Sequence, residues 1–180
     1  ICCCSLSCST LIPLLSGIPN LIYLAPTNKE EYLAMLDWSI DYKEHPVAIR
    51  VPVGKTISAN RKVERDFSNL NKYETVSEGE DVAILALGNF FSLGECVAQE
   101  LEAKHIHATL INPRYISGID TQLMEALKFN HRLVVTLEDG CKDGGFGERI
   151  ASYYGTSDMK VLVGGIKKGL YDRFNHKQLL

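Results

Sequence analysis

Four features have residue types and spacing that could do chemistry. Arg50 closes the run Val47–Ala48–Ile49, Arg114 follows Asn112–Pro113, Glu138–Asp139 ends the run Leu133–Leu137, and Gly144–Gly145–Phe146–Gly147 comes soon after. A guanidinium could grip a carboxylate or phosphate through paired N–H groups. A carboxylate at a strand end could act as a general acid or base, and glycines ahead of a helix could present backbone N–H groups to an anion. Each also has a plainer reading. Arg114 is read as a salt bridge that fixes its loop, in preference to an anion grip. Glu138 has no evident His or Lys partner and is read as a loop-fixing or interface carboxylate. Gly145 and Gly147 fit neither the P-loop nor the dinucleotide fingerprint; they are read as a close-packed strand-to-helix connection from which glycine removes the Cβ obstacle. His105, His107, His131 and His176 share no metal-ligand spacing, and no nucleophile elbow, Cys/His pair or zincin motif is present. No residue is assigned as catalytic, cofactor-binding or metal-binding.

Strand ends matter because open parallel sheets take ligands beyond their carboxyl ends, and the chain reads as such a sheet. Leu21–Ala25 predicts a buried strand. Thr27 with Glu30 has capping-box spacing and opens a helix along Tyr32, Leu33, Leu36 and Ile40. Val47–Val51 predicts the strand that completes one βαβ unit. Residues 55–78 are polar with few apolar anchors and read as a linker. Strands at 82–87, 108–111, 133–137 and 161–163 then alternate with helices at 92–103, 120–129 (capped by Asp120) and 147–154. This predicts an α/β domain over 79–180 with a mostly parallel sheet covered on both faces.

With 46% hydrophobic and 23% charged residues the composition is that of a globular protein. A net charge of −3 and the lack of a Lys/Arg cluster disfavour nucleic-acid binding. No apolar run from Pro19 onward reaches the roughly 18 to 20 residues needed to cross a bilayer, so no membrane partner is expected and the cytoplasm is the expected compartment. Four of the six cysteines fall at Cys2, Cys3, Cys4 and Cys8, which makes neither a disulfide framework nor paired zinc ligands. Residues 1–15, apolar and Cys-rich unlike anything later, are expected to be foreign to the fold or disordered; a signal peptide would want a basic start and a small-residue cleavage site.

Taken in order, Ile18–Pro19–Asn20–Leu21, Ala25–Pro26–Thr27, Ala48–Ile49–Arg50–Val51–Pro52–Val53–Gly54, Asn112–Pro113–Arg114–Tyr115 with Asp120, and Thr136–Leu137–Glu138–Asp139–Gly140 leading to Gly145–Phe146–Gly147 resemble the end of the 1-deoxy-D-xylulose-5-phosphate synthase family. Gly169–Leu170–Tyr171–Asp172–Arg173–Phe174–Asn175–His176 is similar to its terminal phrase. The resemblance implies that 16–54 are the tail of a transketolase-type pyrimidine-binding domain and 79–180 a C-terminal domain of three-layer fold. It implies a transferase that joins pyruvate to glyceraldehyde 3-phosphate in isoprenoid precursor synthesis. Thiamine diphosphate and Mg²⁺ would be held by parts other than this chain, which alone would bind neither and be inactive. Implied partners are a second copy, the missing N-terminal domains, or a partner subunit. Arg50 matches the first arginine of the family's Arg-x-Pro-Arg-Gly strand end and is the substrate-side candidate. Val53 stands at the second arginine, which holds the acceptor's phosphate in the family, so the acceptor is left open. Two further readings stay open: a non-catalytic dimerisation or docking module of the transketolase or 2-oxo-acid dehydrogenase β-subunit type, and a plain transketolase relative. A truncated βαβ unit would also leave an unpaired sheet edge that invites self-association.

Overall fold

The computed structural model describes residues 10–51, 57–59 and 61–167 of the 180. Near its start a short helix α1 (Leu11–Ser16) precedes the βαβ unit, in which β1 (Ile22–Leu24) and β2 (Val47–Ile49) run parallel and are joined by α2 (Lys29–Asp41). A five-stranded sheet follows, built from β3 (Glu74–Ser77), β4 (Asp81–Ala86), β5 (Thr109–Asn112), β6 (His131–Cys141) and β7 (Lys160–Ile166) in the order β3-β5-β4-β6-β7. Only β3 is antiparallel to its neighbour. The connections carry α3 (Phe91–Glu102), α4 (Thr121–Asn130) and α5 (Phe146–Tyr154).

The sheet is covered on both faces, as a mostly parallel sheet requires. In central strand β4, Ala83 to Ala86 are wholly buried, and successive side chains go to opposite sides. Ile84, Ala86 and Leu110 pack with Phe91 beneath α3. Ala83, Leu85 and Ile111 join a larger core with Met124 and Leu127 of α4 and Ile150 and Tyr154 of α5. The result is the expected three-layer α/β architecture. Helix α3 lies so close that a Cβ on Gly94 would sit 2.6 Å from the Ala86 Cβ. Tyr23, Leu24, Met35 and Phe67 belong to the larger core too, so the βαβ unit shares one interior with the five-stranded sheet. The backbone stitches them together: Ala25 N–H donates to Arg114 O at 2.7 Å and Ile116 N–H to Tyr23 O at 2.7 Å, around an antiparallel bridge between Leu24 and Tyr115.

Several local expectations shift. Helix α2 is capped by Asn28, whose Oδ1 accepts from Glu31 N–H at 2.8 Å. The carboxylate that reaches back to Thr27 N–H, at 2.7 Å, belongs to Glu31 and not Glu30; the reciprocal cap is displaced by one residue. Within the stretch read as linker, Glu74–Ser77 forms edge strand β3, a short polar run that pairing with β5 holds extended. Glu138–Asp139–Gly140, expected in a loop, lie inside β6, because pairing with β7 continues through a register shift to Cys141 and Ile166. Tertiary pairing overrides their low strand propensity. Residues 11–16, expected to be foreign to the fold, form α1, whose Ile12 is fully buried beside Gly140. Cys2, Cys3, Cys4, Cys8, Val53 and the phrase at 169–176 lie outside the described residues.

Candidate functional site

The functional side chains form two buried charge clusters at the carboxyl ends of the strands. The first is centred on Glu31, in the first turn of α2. Its carboxylate is 2% exposed and accepts from Thr27 N–H, from Thr27 Oγ1–H at 2.8 Å and from Asn112 Nδ2–H at 2.9 Å. Arg114 lies across it, Nε 3.3 Å from Glu31 Oε1 and Nη2 3.0 Å from Glu74 Oε2. Arg114 is therefore a structural cross-tie with two carboxylates, one from the βαβ unit and one from β3. Its backbone sits in the left-handed region at φ 60°, a conformation that costs a side-chain-bearing residue free energy and persists where its surroundings hold it. Asn112 Oδ1 helps by accepting Arg114 N–H at 3.2 Å.

The second cluster is built on β6. Glu138 has no exposed surface, and its carboxylate accepts Phe146 N–H at 3.1 Å and Gly147 N–H at 2.8 Å, closing the N-terminus of α5 from within the strand. Burial pushes its pKa up to about 7, against the lowering effect of those two N–H groups; the Asp139 carboxylate adds to the rise and the Arg50 guanidinium opposes it. Gly145 has to be glycine: a Cβ there would lie 2.4 Å from Cys141 O and 2.6 Å from Glu138 Oε1. At Gly147 it would lie 2.4 Å from Thr136 Oγ1. The remaining N–H groups of the turn are also taken, Gly144 by Glu148 Oε2 at 2.7 Å and Gly145 by Lys142 O at 3.0 Å. With all four amides satisfied internally, this turn has no donor left for a phosphate, and the anion-binding alternative is withdrawn.

Arg50, the substrate-side candidate, has its guanidinium buried against the Asp139 carboxylate, itself buried. That pairing places Arg50 beside Glu138, Gly145 and Gly147, while Arg114 stands in the other cluster. Between Ala25, Pro26, Arg50, Gly88 and Asn89, where the ends of β1, β2 and β4 converge, the free space is about 10 Å³, the lower limit for one water. A roomier cleft of about 290 Å³ opens alongside, between the loop after β1 and the first turn of α3. No group of three or more His, Cys, Asp or Glu side chains comes together as a metal site among the described residues, and no helix among them is long and apolar enough to cross a membrane. Sequence reasoning missed Glu31 and Glu74, and it singled out Asp139 only beside Glu138, without its pairing to Arg50. Of the two missed, Glu31 carried a signal, since it stands three residues after a strong N-cap residue, Asn28.

Comparison with known proteins adds relatives to this geometry. The transketolase C-terminal domain profile matches residues 71–169. A 1-deoxy-D-xylulose-5-phosphate synthase from Alkaliphilus oremlandii is 40% identical over 139 residues, 76% of this chain and 22% of that protein. The synthase from Rippkaea orientalis is 34% identical over 163 residues, 90% of this chain and 25% of that protein. The chain thus spans about a quarter of the length of these curated relatives. Among solved structures, a split-gene transketolase described as an inactive β4 tetramer matches the fold with a TM-score of 0.75 and 24% identity, over 90% of this chain and 53% of that one.

Proposed function

The chain belongs to the transketolase C-terminal domain family, and on that premise we propose that it is the C-terminal portion of a transferase of the 1-deoxy-D-xylulose-5-phosphate synthase type. The complete enzyme would join pyruvate to glyceraldehyde 3-phosphate with release of carbon dioxide, in the cytoplasm, to supply isoprenoid precursors. In that enzyme this chain positions rather than reacts. The observation that carries the role is the pair of buried clusters: Glu31–Arg114–Glu74 and Arg50–Asp139 tie the carboxyl ends of β1 and β2 to the five-stranded domain. Buried pairs of this kind hold one geometry, because separating them strands a charge in a dry interior. Arg50 enters this reading as the residue that fixes the end of β2, with Asp139 as its anchor.

Thiamine diphosphate, which supplies the acyl-carbanion chemistry of such transferases, does not fit the described residues. They assemble no magnesium donor set, and the backbone amides at 144–147 are occupied by internal acceptors. The cofactor and its Mg²⁺ are assigned instead to N-terminal domains or a partner subunit, with a homodimer as the assembly. One observation favours a second reading, a non-catalytic association module: the split-gene transketolase chain that shares this fold is described as an inactive β4 tetramer.

Calorimetric titration with thiamine diphosphate and Mg²⁺, run beside a pyruvate-dependent carbon dioxide assay, tests both. The chain alone gives no saturable binding and no turnover, and adding a chain that carries the upstream domains of a synthase restores both. Complex formation without turnover would favour the association module. Saturable binding with turnover by the chain alone would overturn the proposal.

A further inference from the structure

We infer that the outward face of α2 is a self-association surface, on which a second copy of this chain lays its own α2 antiparallel about a two-fold axis. The transferase reading names a homodimer but no contact surface, and the pairing of α2 neither needs nor assumes its chemistry.

Leu33, Leu36 and Ile40 recur at helical intervals, and in the sequence they read as the buried face of α2. The fold turns them outward. Ala34 and Met35 enter the core and Trp38 packs against it. Leu33, Leu36 and Ile40 lie on the opposite side of the helix and are 45%, 37% and 61% exposed. A helix that is apolar on two opposite sides fits between two layers, and the described residues provide one. With Lys29 in front, the stripe steps by four, three and four residues, the spacing of a seam between two paired helices.

The charges on this face select the occupant. The exposed residues of α2 are Lys29, Leu33, Leu36, Asp37, Ile40 and Asp41, with a cation in the first turn and carboxylates toward the end. That order opposes the helix macrodipole, which favours anions at the N-terminus and cations at the C-terminus. Lys29, Asp37 and Asp41 form no ion pair among the described residues. An antiparallel copy offsets the misplaced charges: it sets Lys29 of each chain beside Asp37 and Asp41 of the other, with the three apolar side chains between. A parallel copy would set Lys29 against Lys29 and carboxylates against carboxylates. The face is therefore its own complement in the antiparallel sense, as a two-fold contact between identical chains requires.

Sedimentation equilibrium of the full chain, with no cofactor, substrate or second protein present, tests the pairing. A contact this short lies at the small end of specific interfaces, so a reversible monomer–dimer equilibrium with a Kd on the order of 10–100 µM is expected. Ile40→Lys, at an exposed position, weakens it at least about tenfold. Lys29→Asp and Asp41→Lys each weaken it about three- to tenfold, because each brings like charges together at two symmetry-related points. Mixing those two variant chains sets unlike charges side by side again and restores association to within about twofold of the parent. Far-UV circular dichroism of each variant verifies folding. A monomer at every concentration up to about 500 µM overturns the pairing and leaves the stripe to a different chain. A dimer untouched by Ile40→Lys overturns it too, since another surface would then hold the copies together. So does a mixture that associates no more tightly than the single variants, which would exclude the antiparallel charge contacts.

Discussion

Replacing Glu31 by alanine should uncouple the βαβ unit from the rest of the molecule before the whole chain unfolds. The carboxylate accepts three hydrogen bonds and pairs with Arg114. Removing one partner of a buried ion pair costs about 3–5 kcal/mol. Arg114 keeps Glu74 at 3.0 Å, which points to the lower end for the charge, about 3 kcal/mol. The acceptor lost by Thr27 N–H and Asn112 adds about 1 kcal/mol. A total near 4 kcal/mol is a large part of the roughly 5–15 kcal/mol by which domains are stable, and lowers Tm by about 10 °C at this chain length. The chain has a single tryptophan, Trp38 on α2, stacked on Tyr42 at 4.5 Å and edge-on to Phe67 at 5.8 Å. Urea titration followed by Trp38 fluorescence therefore reports the βαβ unit, and far-UV circular dichroism reports mainly the five-stranded domain. In Glu31→Ala the fluorescence transition should move to lower urea and precede the dichroism transition; in the parent the two coincide. A loss below about 1 kcal/mol, the range of ordinary surface changes, would refute the reasoning, as would coincident transitions in the variant. Glu30→Ala, at the residue the sequence pattern favours, should have the smaller effect.

Because burial raises the Glu138 pKa from 4.5 to about 7, its contribution to stability is fully present below pH 4.5 and is lost as pH rises through 7, about 3 kcal/mol in all. Glu138→Gln should flatten that slope between pH 5 and 8 in denaturation curves, and a parent already flat there would contradict the burial argument. Gly145→Ala, with no room for its Cβ, should cost about 3 kcal/mol. Gly17→Ala has nothing within 4 Å and φ of −85°, so it should gain about 0.5 kcal/mol through the unfolded chain; equal melting temperatures for the two would count against the packing account. Arg50→Met and Asp139→Asn should each destabilise by about 3 kcal/mol. The double variant should lose far less than the sum, and strict additivity in the cycle would show that the pair is not coupled.

The alternation of apolar runs with helical periods was enough to read four of the five strands of the domain, because β4 is buried on both faces, β6 is buried on one and half-buried along most of the other, and such strands need near-continuous apolar sequence. Asp120 was equally legible: its side chain accepts Leu123 N–H at 3.0 Å, as an N-cap should. It also accepts Tyr73 N–H at 3.0 Å across 47 residues, which no local pattern reveals. The same limit hid the partners of Arg114 and Arg50. Glu31, Glu74 and Asp139 are 83, 40 and 89 positions away from the arginines they meet, and with carboxylates throughout the chain only the fold selects among them. Strand β3 escaped notice because Glu74–Ser77 has one apolar residue, and its extension comes from β5 rather than from its own side chains.

The backbone stitch between β1 and the segment after β5 has a consequence for how the protein is made. Tyr23 and Ala25 find their hydrogen-bond partners in Ile116 and Arg114, about ninety residues downstream. At roughly 5–20 residues per second, a ribosome takes about 5–20 s to deliver those partners. Throughout that interval the nascent βαβ unit exposes Tyr23, Leu24 and Met35, which are fully buried once folding is complete, so the early part of the chain must wait, apolar side outward, for the later part to arrive. Chaperone capture during translation should therefore fall on residues 22–50 and end once residue 116 has left the exit tunnel.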